Sequence, residues 1–206
     1  MSYLVETSIP ELHRNWDIQD LVGADNLVEI QQKVSQYLHD PELLINGNNL
    51  YIYSIANGTG KTRIAYYILN ALSQPRLVNG NVDILSTASV TFGEYLKFCN
   101  DAFNADSKAA RKLVMTVPVL LLDDVSPVFC TSNPHKDKME LTLLMMYRRS
   151  HLLPTILTSN LVPTEFEKTF GSTAASKALE NFSYIEILGA DVRPVIYPDQ
   201  LGAINE

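Results

Sequence analysis

The sequence predicts an α/β protein with three layers, in which a five-stranded parallel sheet lies between helices. Two observations support this prediction. Short apolar runs alternate with stretches of helical periodicity along most of the chain, and several of the runs end in polar or acidic residues. Parallel strands need a crossover of a dozen residues or more between them, and a helix usually supplies it. A chain of 206 residues can form one such domain with a small appendage.

Composition and charge exclude several classes of protein. The formal net charge of −7 argues against a generally basic nucleic-acid coat protein. Cys99 and Cys130 are too few for a disulfide framework, so the reducing cytoplasm is the simplest compartment. The N-terminus lacks the basic start and apolar core of a secretory signal. No apolar run approaches the roughly 18 residues that span a bilayer. We therefore expect a cytoplasmic protein with no membrane partner.

Residues 1–48 precede the first predicted strand, and we expect them to form a helical extension of a domain at 49–206. Asp25 could cap a helix that carries apolar residues at helical steps from Leu27 to Leu38. This extension is too short to be an independent domain.

The stretch LYIYSIANGTGKTRIAYYILNAL, at positions 50–72, has three parts. An apolar and aromatic run at 50–54 has the composition of a buried strand. A glycine-containing turn follows, and apolar residues then recur at helical spacing from Thr62 to Leu72. Strand, glycine-rich turn and helix form the context of a phosphate-binding loop, whereas the alternative is a chance glycine-rich turn. The predicted nucleotide-binding residues are Asn57, Gly58, Thr59, Gly60, Lys61 and Thr62.

Each part of this loop has a chemical reason. Gly58 and Gly60 let the backbone curl so that its N–H groups point at a polyphosphate, and the helix directs its positive end to the same place. Lys61 can reach the β- and γ-phosphates of ATP, and Thr62 can place its hydroxyl on Mg²⁺. Ile55 replaces the first glycine of the consensus. Because that glycine serves turn geometry more than ligand contact, we expect the loop to persist.

The next segments predict a second strand and two helices. Val82, Ile84 and Leu85 indicate the strand, and helical patterns follow at 92–103 and 107–115. The second helix carries Lys108, Arg111 and Lys112. This basic cluster could contact single-stranded DNA, or it could be a solvated helix face.

Two carboxylates end the next strand. The run VPVLLLDDV at 117–125 is continuously apolar, as in a strand buried on both faces, until Asp123 and Asp124. At the carboxyl edge of a parallel sheet they would lie beside the phosphate loop. One carboxylate can hold the Mg²⁺ shell while the other orients or deprotonates a water. The alternative is a polar strand end without a chemical role.

The rest of the chain continues the alternation. A helix at 138–149 ends in Arg148 and Arg149, which suit a helix C-terminus. A fourth strand, PTILTSN, ends in Asn160, which either lies near the γ-phosphate or only terminates the strand. Thr164 and Glu167 have the spacing of a capping box. A further helix is predicted at 172–181 and a fifth strand at 184–188.

Four segments together resemble one family. NGTGKT, VLLLDD, YRRSHLLPTILTSNL and ILGADVRP occur in an order similar to that of the AAA+ P-loop NTPases of the DnaC/DnaI type, the bacterial and phage replicative helicase loaders. The resemblance covers roughly residues 45–195, and the IstB-like ATPases of insertion sequences are close cousins. It implies Walker A roles for Lys61 and Thr62, and Walker B roles for Asp123 at the metal and Asp124 in catalysis. It also implies a sensor role for Asn160 and a nucleotide-site role for Arg193.

The sequence departs from this family in two places. Loaders of this type carry an arginine finger in a Ser-Arg dipeptide, and the matching position here is Ser176-Lys177. A lysine is a poorer clamp than a guanidinium. Either Lys177 substitutes, or Arg148 or Arg149 serves a neighbouring subunit, or hydrolysis is weak. Residues 1–48 are also short for the separate helicase-binding domain of cellular loaders.

The resemblance implies an ATP-dependent helicase loader with ATP and Mg²⁺ as cofactors. Its hydrolysis would be slow and stimulated by DNA or a partner. Its partners would be a hexameric replicative helicase, single-stranded DNA and further copies of itself, joined through ATP interfaces. Two alternatives stay open. One is an IstB-like transposition regulator that assembles on duplex DNA, and the other is a nucleotide-binding regulatory module that hydrolyses ATP weakly.

Overall fold

The computed structural model describes residue 18 and residues 24–78, 81–83, 85–101, 103–171 and 182–191. The helices are α1 (Leu27–His39), α2 (Pro41–Ile45), α3 (Lys61–Ser73), α4 (Phe92–Asn100), α5 (Ala105–Thr116), α6 (Pro134–Ser150) and α7 (Pro163–Phe170). The strands are β1 (Asn49–Tyr53), β2 (Arg76–Val78), β3 (Asn81–Asp83), β4 (Thr87–Thr91), β5 (Val119–Asp123), β6 (Thr155–Ser159) and β7 (Phe182–Glu186). None of the helices in these ranges combines the length and apolar character needed to cross a membrane.

Five strands form one parallel sheet in the order β4-β5-β6-β1-β7. This confirms the predicted fold class. Because all five strands run in the same direction, their carboxyl ends meet at one edge. The loop after β1, the acidic end of β5 and the end of β6 therefore come together, since β6 pairs with both β5 and β1.

Successive residues of the central strands face opposite layers of helices. Tyr51, Leu120 and Leu122 belong to one core cluster, which also contains residues of α4, α5, α6 and α7. Leu50, Ile52 and Leu121 belong to a second cluster, shared with α1 and α3. Val119 to Asp123 are buried throughout. The continuous apolar run therefore forms a strand covered on both faces, as predicted.

The position of the second sheet strand was predicted wrongly. Val82 lies in β3, which forms a two-stranded antiparallel hairpin with β2, and Ile84 lies outside the described residues. The sheet strand is instead TASVT, Thr87–Thr91, paired with β5. Its threonines count as polar, but like valine they are β-branched and suit a strand. Thr87, Ala88 and Val90 are buried.

Helix starts also differ from the predictions. The N-cap of α1 is Asn26 rather than Asp25, and its side chain donates to the Glu186 carbonyl at 2.9 Å. Helix α6 begins at Pro134, earlier than predicted, because proline needs no N–H partner in the first turn. The predicted box of Thr164 and Glu167 is wrong, since α7 begins at Pro163 without a side-chain cap.

Candidate nucleotide-binding site

The loop between β1 and α3 has the backbone geometry of a phosphate cradle. Gly58 and Gly60 have φ angles of 68° and 95°, in the left-handed region that glycine adopts without steric cost. Gly60 is the N-cap of α3, so the positive end of a 13-residue helix opens into the loop. The Ile55 side chain is 75% exposed and the loop keeps this shape without the consensus glycine.

Two polar groups of this loop suit a bound polyphosphate. The Lys61 ammonium donates to the Ala56 carbonyl at 3.0 Å, which folds the side chain over the loop. The Thr59 hydroxyl is buried and has no hydrogen-bond partner among the described residues. A buried hydroxyl without a partner is costly, and a phosphate oxygen would satisfy it. The loop therefore fits a nucleotide.

Asp123, at the end of β5, accepts hydrogen bonds from two hydroxyls. Thr62 donates to its two carboxylate oxygens at 3.0 and 3.3 Å. Thr158 donates to Oδ1 at 2.6 Å. Carboxylate and hydroxyl oxygens are the ligands that Mg²⁺ prefers. Within the described ranges no three His, Cys, Asp or Glu side chains group together as a metal cage. A metal held by Thr62 and Asp123 would therefore take its other ligands from water and phosphate, as Mg²⁺ commonly does.

Asp124 adopts an uncommon backbone conformation directly after the strand. Its φ angle is 56°, in the left-handed region that few residues other than glycine occupy. Its backbone N–H donates to the Thr158 hydroxyl at 2.8 Å. The next N–H, of Val125, donates to the Thr158 carbonyl at 2.8 Å. The turn that carries Asp124 is thus anchored on β6.

Asn160 joins the end of β6 to the phosphate loop. Its amide nitrogen donates to the Asn57 side-chain oxygen at 2.8 Å. Its own Oδ1 is buried without a partner in the described part of the chain. The structure thus brings Asn57, Lys61, Thr62, Asp123 and Asn160 together at one edge of the sheet, with Asp124 adjacent.

Arg148 lies far from this edge and is not a finger for a neighbouring subunit. The guanidinium is fully buried and donates to the carbonyls of Val117 and Pro154, at 2.8 and 2.7 Å, and to the Thr155 hydroxyl at 2.9 Å. These groups lie at the amino ends of β5 and β6, opposite the phosphate loop. Burial lowers the pKa of Arg148 to about 9. Of the other proposed cations, Arg149 follows Arg148 in the last turn of α6, whereas Lys177 and Arg193 lie outside the described residues.

Only part of the basic cluster on α5 faces solvent freely. Arg111 forms an ion pair with Glu140 of α6, with 2.6 Å between Nη2 and Oε2. Lys108 and Lys112 are exposed. The cluster therefore offers two exposed lysines beside a guanidinium that holds α5 on α6.

Thr158 is a residue of this site that the sequence analysis missed. The alternation of β6 places it on the same side of the strand as Asn160, two residues later. That alternation was visible in TILTSN. The sequence does not show that β6 pairs with β5, and this pairing brings the Thr158 hydroxyl into contact with Asp123.

Sequence comparison matches the chain to no protein family model and to no curated protein. Solved structures give clear matches. The chain is similar to DnaI, with 21% identity, a TM-score of 0.66, and coverage of 90% of this chain and 95% of that one. It is similar to the DnaC helicase loader, with 16% identity, a TM-score of 0.68, and coverage of 87% and 100%.

A third match is the replication initiator DnaA bound to AMPPCP and single-stranded DNA, with 19% identity and a TM-score of 0.62. It covers 86% of this chain and 51% of that one. The structural neighbours of this chain are thus DnaI and DnaC helicase loaders and the AAA+ domain of DnaA. At sequence identities this low, the structural similarity shows the fold alone. That fold is the three-layer α/β fold of the AAA+ P-loop NTPases.

Proposed function

We propose that this chain is an ATP-dependent loader of a hexameric replicative helicase. One observation carries the proposal: a glycine-rich loop opening a helix stands beside the hydrogen-bonded pair Thr62 and Asp123, on the fold of DnaI and DnaC. The predicted division into an extension at 1–48 and a domain at 49–206 is part of this proposal.

The nucleotide would be ATP with Mg²⁺. The backbone N–H groups of residues 57–62 and the Lys61 ammonium would bind its phosphates, and Arg193 would contribute from the end of the domain. Thr62 and Asp123 would hold the metal. When bound, Mg²⁺ neutralises charge on the β- and γ-phosphates. The hard oxygen donors of these two residues fit that ion.

Hydrolysis would depend on Asp124 and Asn160. Asp124 would orient or deprotonate the attacking water, and Oδ1 of Asn160, which has no partner among the described residues, would offer that water an acceptor. A positively charged side chain from a neighbouring subunit would stabilise the negative charge of the transition state. Lys177 and Arg149 are the candidates, since Arg148 is buried elsewhere. A lysine clamps the transferring phosphoryl group less well than an arginine, so we expect slow turnover that DNA or a partner stimulates.

The partners would be single-stranded DNA, the helicase and further copies of the chain, acting in the cytoplasm. Lys108 and Lys112 on α5 would neutralise DNA phosphates. ATP at an interface between subunits would favour assembly, because a γ-phosphate contacted from both sides binds the assembled state more tightly. The assembled subunits would hold the helicase open on DNA.

Co-elution with the replicative helicase of the same cell or phage, followed by light scattering, tests this proposal. With ATP and Mg²⁺ we expect a complex of defined stoichiometry. Replacing Lys61 with Ala should abolish both ATP binding and the complex, because no other side chain of the phosphate loop carries a positive charge. Lys112→Ala, an exposed lysine away from the phosphate loop, is the matched control and should bind ATP as the wild type does.

Three outcomes would contradict parts of this proposal. Unchanged ATP affinity in Lys61→Ala would remove the assignment of the phosphate loop. ATP-dependent assembly on duplex DNA without a helicase complex would favour a transposition regulator. Nucleotide binding with neither complex nor assembly would favour a regulatory module.

A further inference from the structure

We propose that Thr158 is a positioning residue that holds both carboxylate-bearing residues of the site in one arrangement. Its hydroxyl contacts the Asp123 side chain and the Asp124 backbone, and its side chain is buried, with 1% exposure. The inference rests on the proposed function, because the arrangement serves a Mg²⁺–nucleotide. It gives the site a residue that lies on a different strand from either carboxylate.

The available protons fix the direction of both hydrogen bonds of the Thr158 hydroxyl. A backbone N–H can only donate, so the bond from Asp124 makes the Thr158 oxygen an acceptor. The single hydroxyl proton of Thr158 is then left for Oδ1 of Asp123, at 2.6 Å. This length is typical of a charge-assisted bond to an ionised carboxylate. One hydroxyl thus fixes the orientation of Asp123 and the position of Asp124 together.

The turn at Asp124 needs such an anchor. A left-handed conformation is uncommon for a residue with a side chain, and contacts with the surroundings hold it in place. Thr158 imposes it through two atoms, because its hydroxyl accepts from Asp124 and its carbonyl accepts from Val125. Loss of the hydroxyl would leave the partly buried Asp124 N–H without this acceptor.

Thr62 also contacts Asp123, but its role differs. In the proposed site the Thr62 hydroxyl turns its oxygen to Mg²⁺. Its bonds to Asp123, at 3.0 and 3.3 Å, are therefore made by a hydroxyl that also has to bind the ion through an oxygen lone pair. The bond from Thr158 has no such competing task. Thr158 therefore keeps Asp123 oriented both before and after the nucleotide binds.

Four variants separate this role from general stability. Thr158→Val keeps the shape of the side chain and suits a strand but has no hydroxyl. Thr158→Ser restores the hydroxyl. Thr158→Cys has only a weak donor in place of the hydroxyl. It replaces Thr158→Val in the experiment if the valine variant does not fold, and the same result is expected of it. Ser159→Ala is the matched control, because it removes the adjacent hydroxyl, which donates to the Val125 carbonyl at 2.6 Å, and leaves both aspartates their partners.

The first measurement is the Mg²⁺ concentration at half-maximal binding of a fluorescent ATP analogue. We expect Thr158→Val to raise this midpoint by about 10-fold or more, because removing an outer partner of a metal ligand typically costs 10–100-fold. At saturating Mg²⁺ the KM for ATP should stay within about threefold, while kcat falls by roughly 10–100-fold. Thr158→Ser and Ser159→Ala should keep the wild-type midpoint.

Two results would overturn the inference. One is a wild-type midpoint in Thr158→Val, and the other is an equal shift in Ser159→Ala, which would mean general loosening of β6. The proposed ATPase fails separately: a wild-type chain that binds Mg²⁺–nucleotide without hydrolysing it contradicts only that activity, and the midpoint still decides the role of Thr158. A wild-type chain that binds no nucleotide overturns both.

Discussion

Among single residues, Arg148 carries much of the packing between the start of β5, the start of β6 and the end of α5. Its guanidinium donates to the carbonyls of Val114, Val117 and Pro154 from a fully buried position. We expect Arg148→Met to lower the free energy of unfolding by about 3 kcal/mol or more, because several buried carbonyls lose their donor together. Urea unfolding measures this loss.

Lys112→Met is the control for Arg148→Met, since Lys112 is exposed on α5. Its effect should stay within about 0.5 kcal/mol. A loss below about 1 kcal/mol in Arg148→Met would contradict the structural role. ATP binding by the folded fraction of the Arg148 variant should be unchanged, because the phosphate loop lies at the other end of the strands.

Single residues also show where sequence reasoning succeeds. The strand, turn and helix around Lys61 and Thr62 were predictable because the spacing of neighbouring residues determines each of them. The position of Asp123 beside that loop followed from the rule that ligands bind at the carboxyl edge of a parallel sheet. Arg148 and Thr158 were not predictable, since their partners lie on other elements, and only strand pairing brings these together.

Among the elements, β4 and the helix after it show the same limit. TASVT has fewer apolar letters than the run before it, and its burial comes from pairing with β5 and from α4. The capping box at the start of α4 was also missed. Thr91 accepts from the Glu94 N–H, and Glu94 accepts from the Thr91 N–H at 3.2 Å. The same spacing at Thr164 and Glu167 forms no box.

These two matching sequence patterns give a paired prediction. Thr91→Ala should lower the free energy of unfolding by about 1 kcal/mol, because the helix loses its cap. Thr164→Ala should change it by less than about 0.5 kcal/mol, since that hydroxyl caps nothing. Urea unfolding of both variants under one condition makes the comparison. Equal losses would contradict the assignment of the caps.

For the whole molecule, charge predicts that salt affects the proposed assembly and the proposed DNA binding differently. Each subunit carries −7, so bringing subunits together costs electrostatic repulsion, which salt screens. DNA binding through Lys108 and Lys112 instead releases counterions, so salt weakens it. The two processes should therefore respond to salt in opposite directions.

Raising KCl from about 50 to about 200 mM should strengthen ATP-dependent self-association without DNA, or leave it unchanged, as measured by light scattering. The same change should weaken binding of a labelled single-stranded oligonucleotide, as measured by anisotropy. Alanine at both Lys108 and Lys112 should reduce the salt slope of oligonucleotide binding by about 1 to 1.5, because each lost phosphate contact removes about 0.7. Self-association that weakens with salt would mean that ion pairs, rather than shared ATP, hold the subunits together.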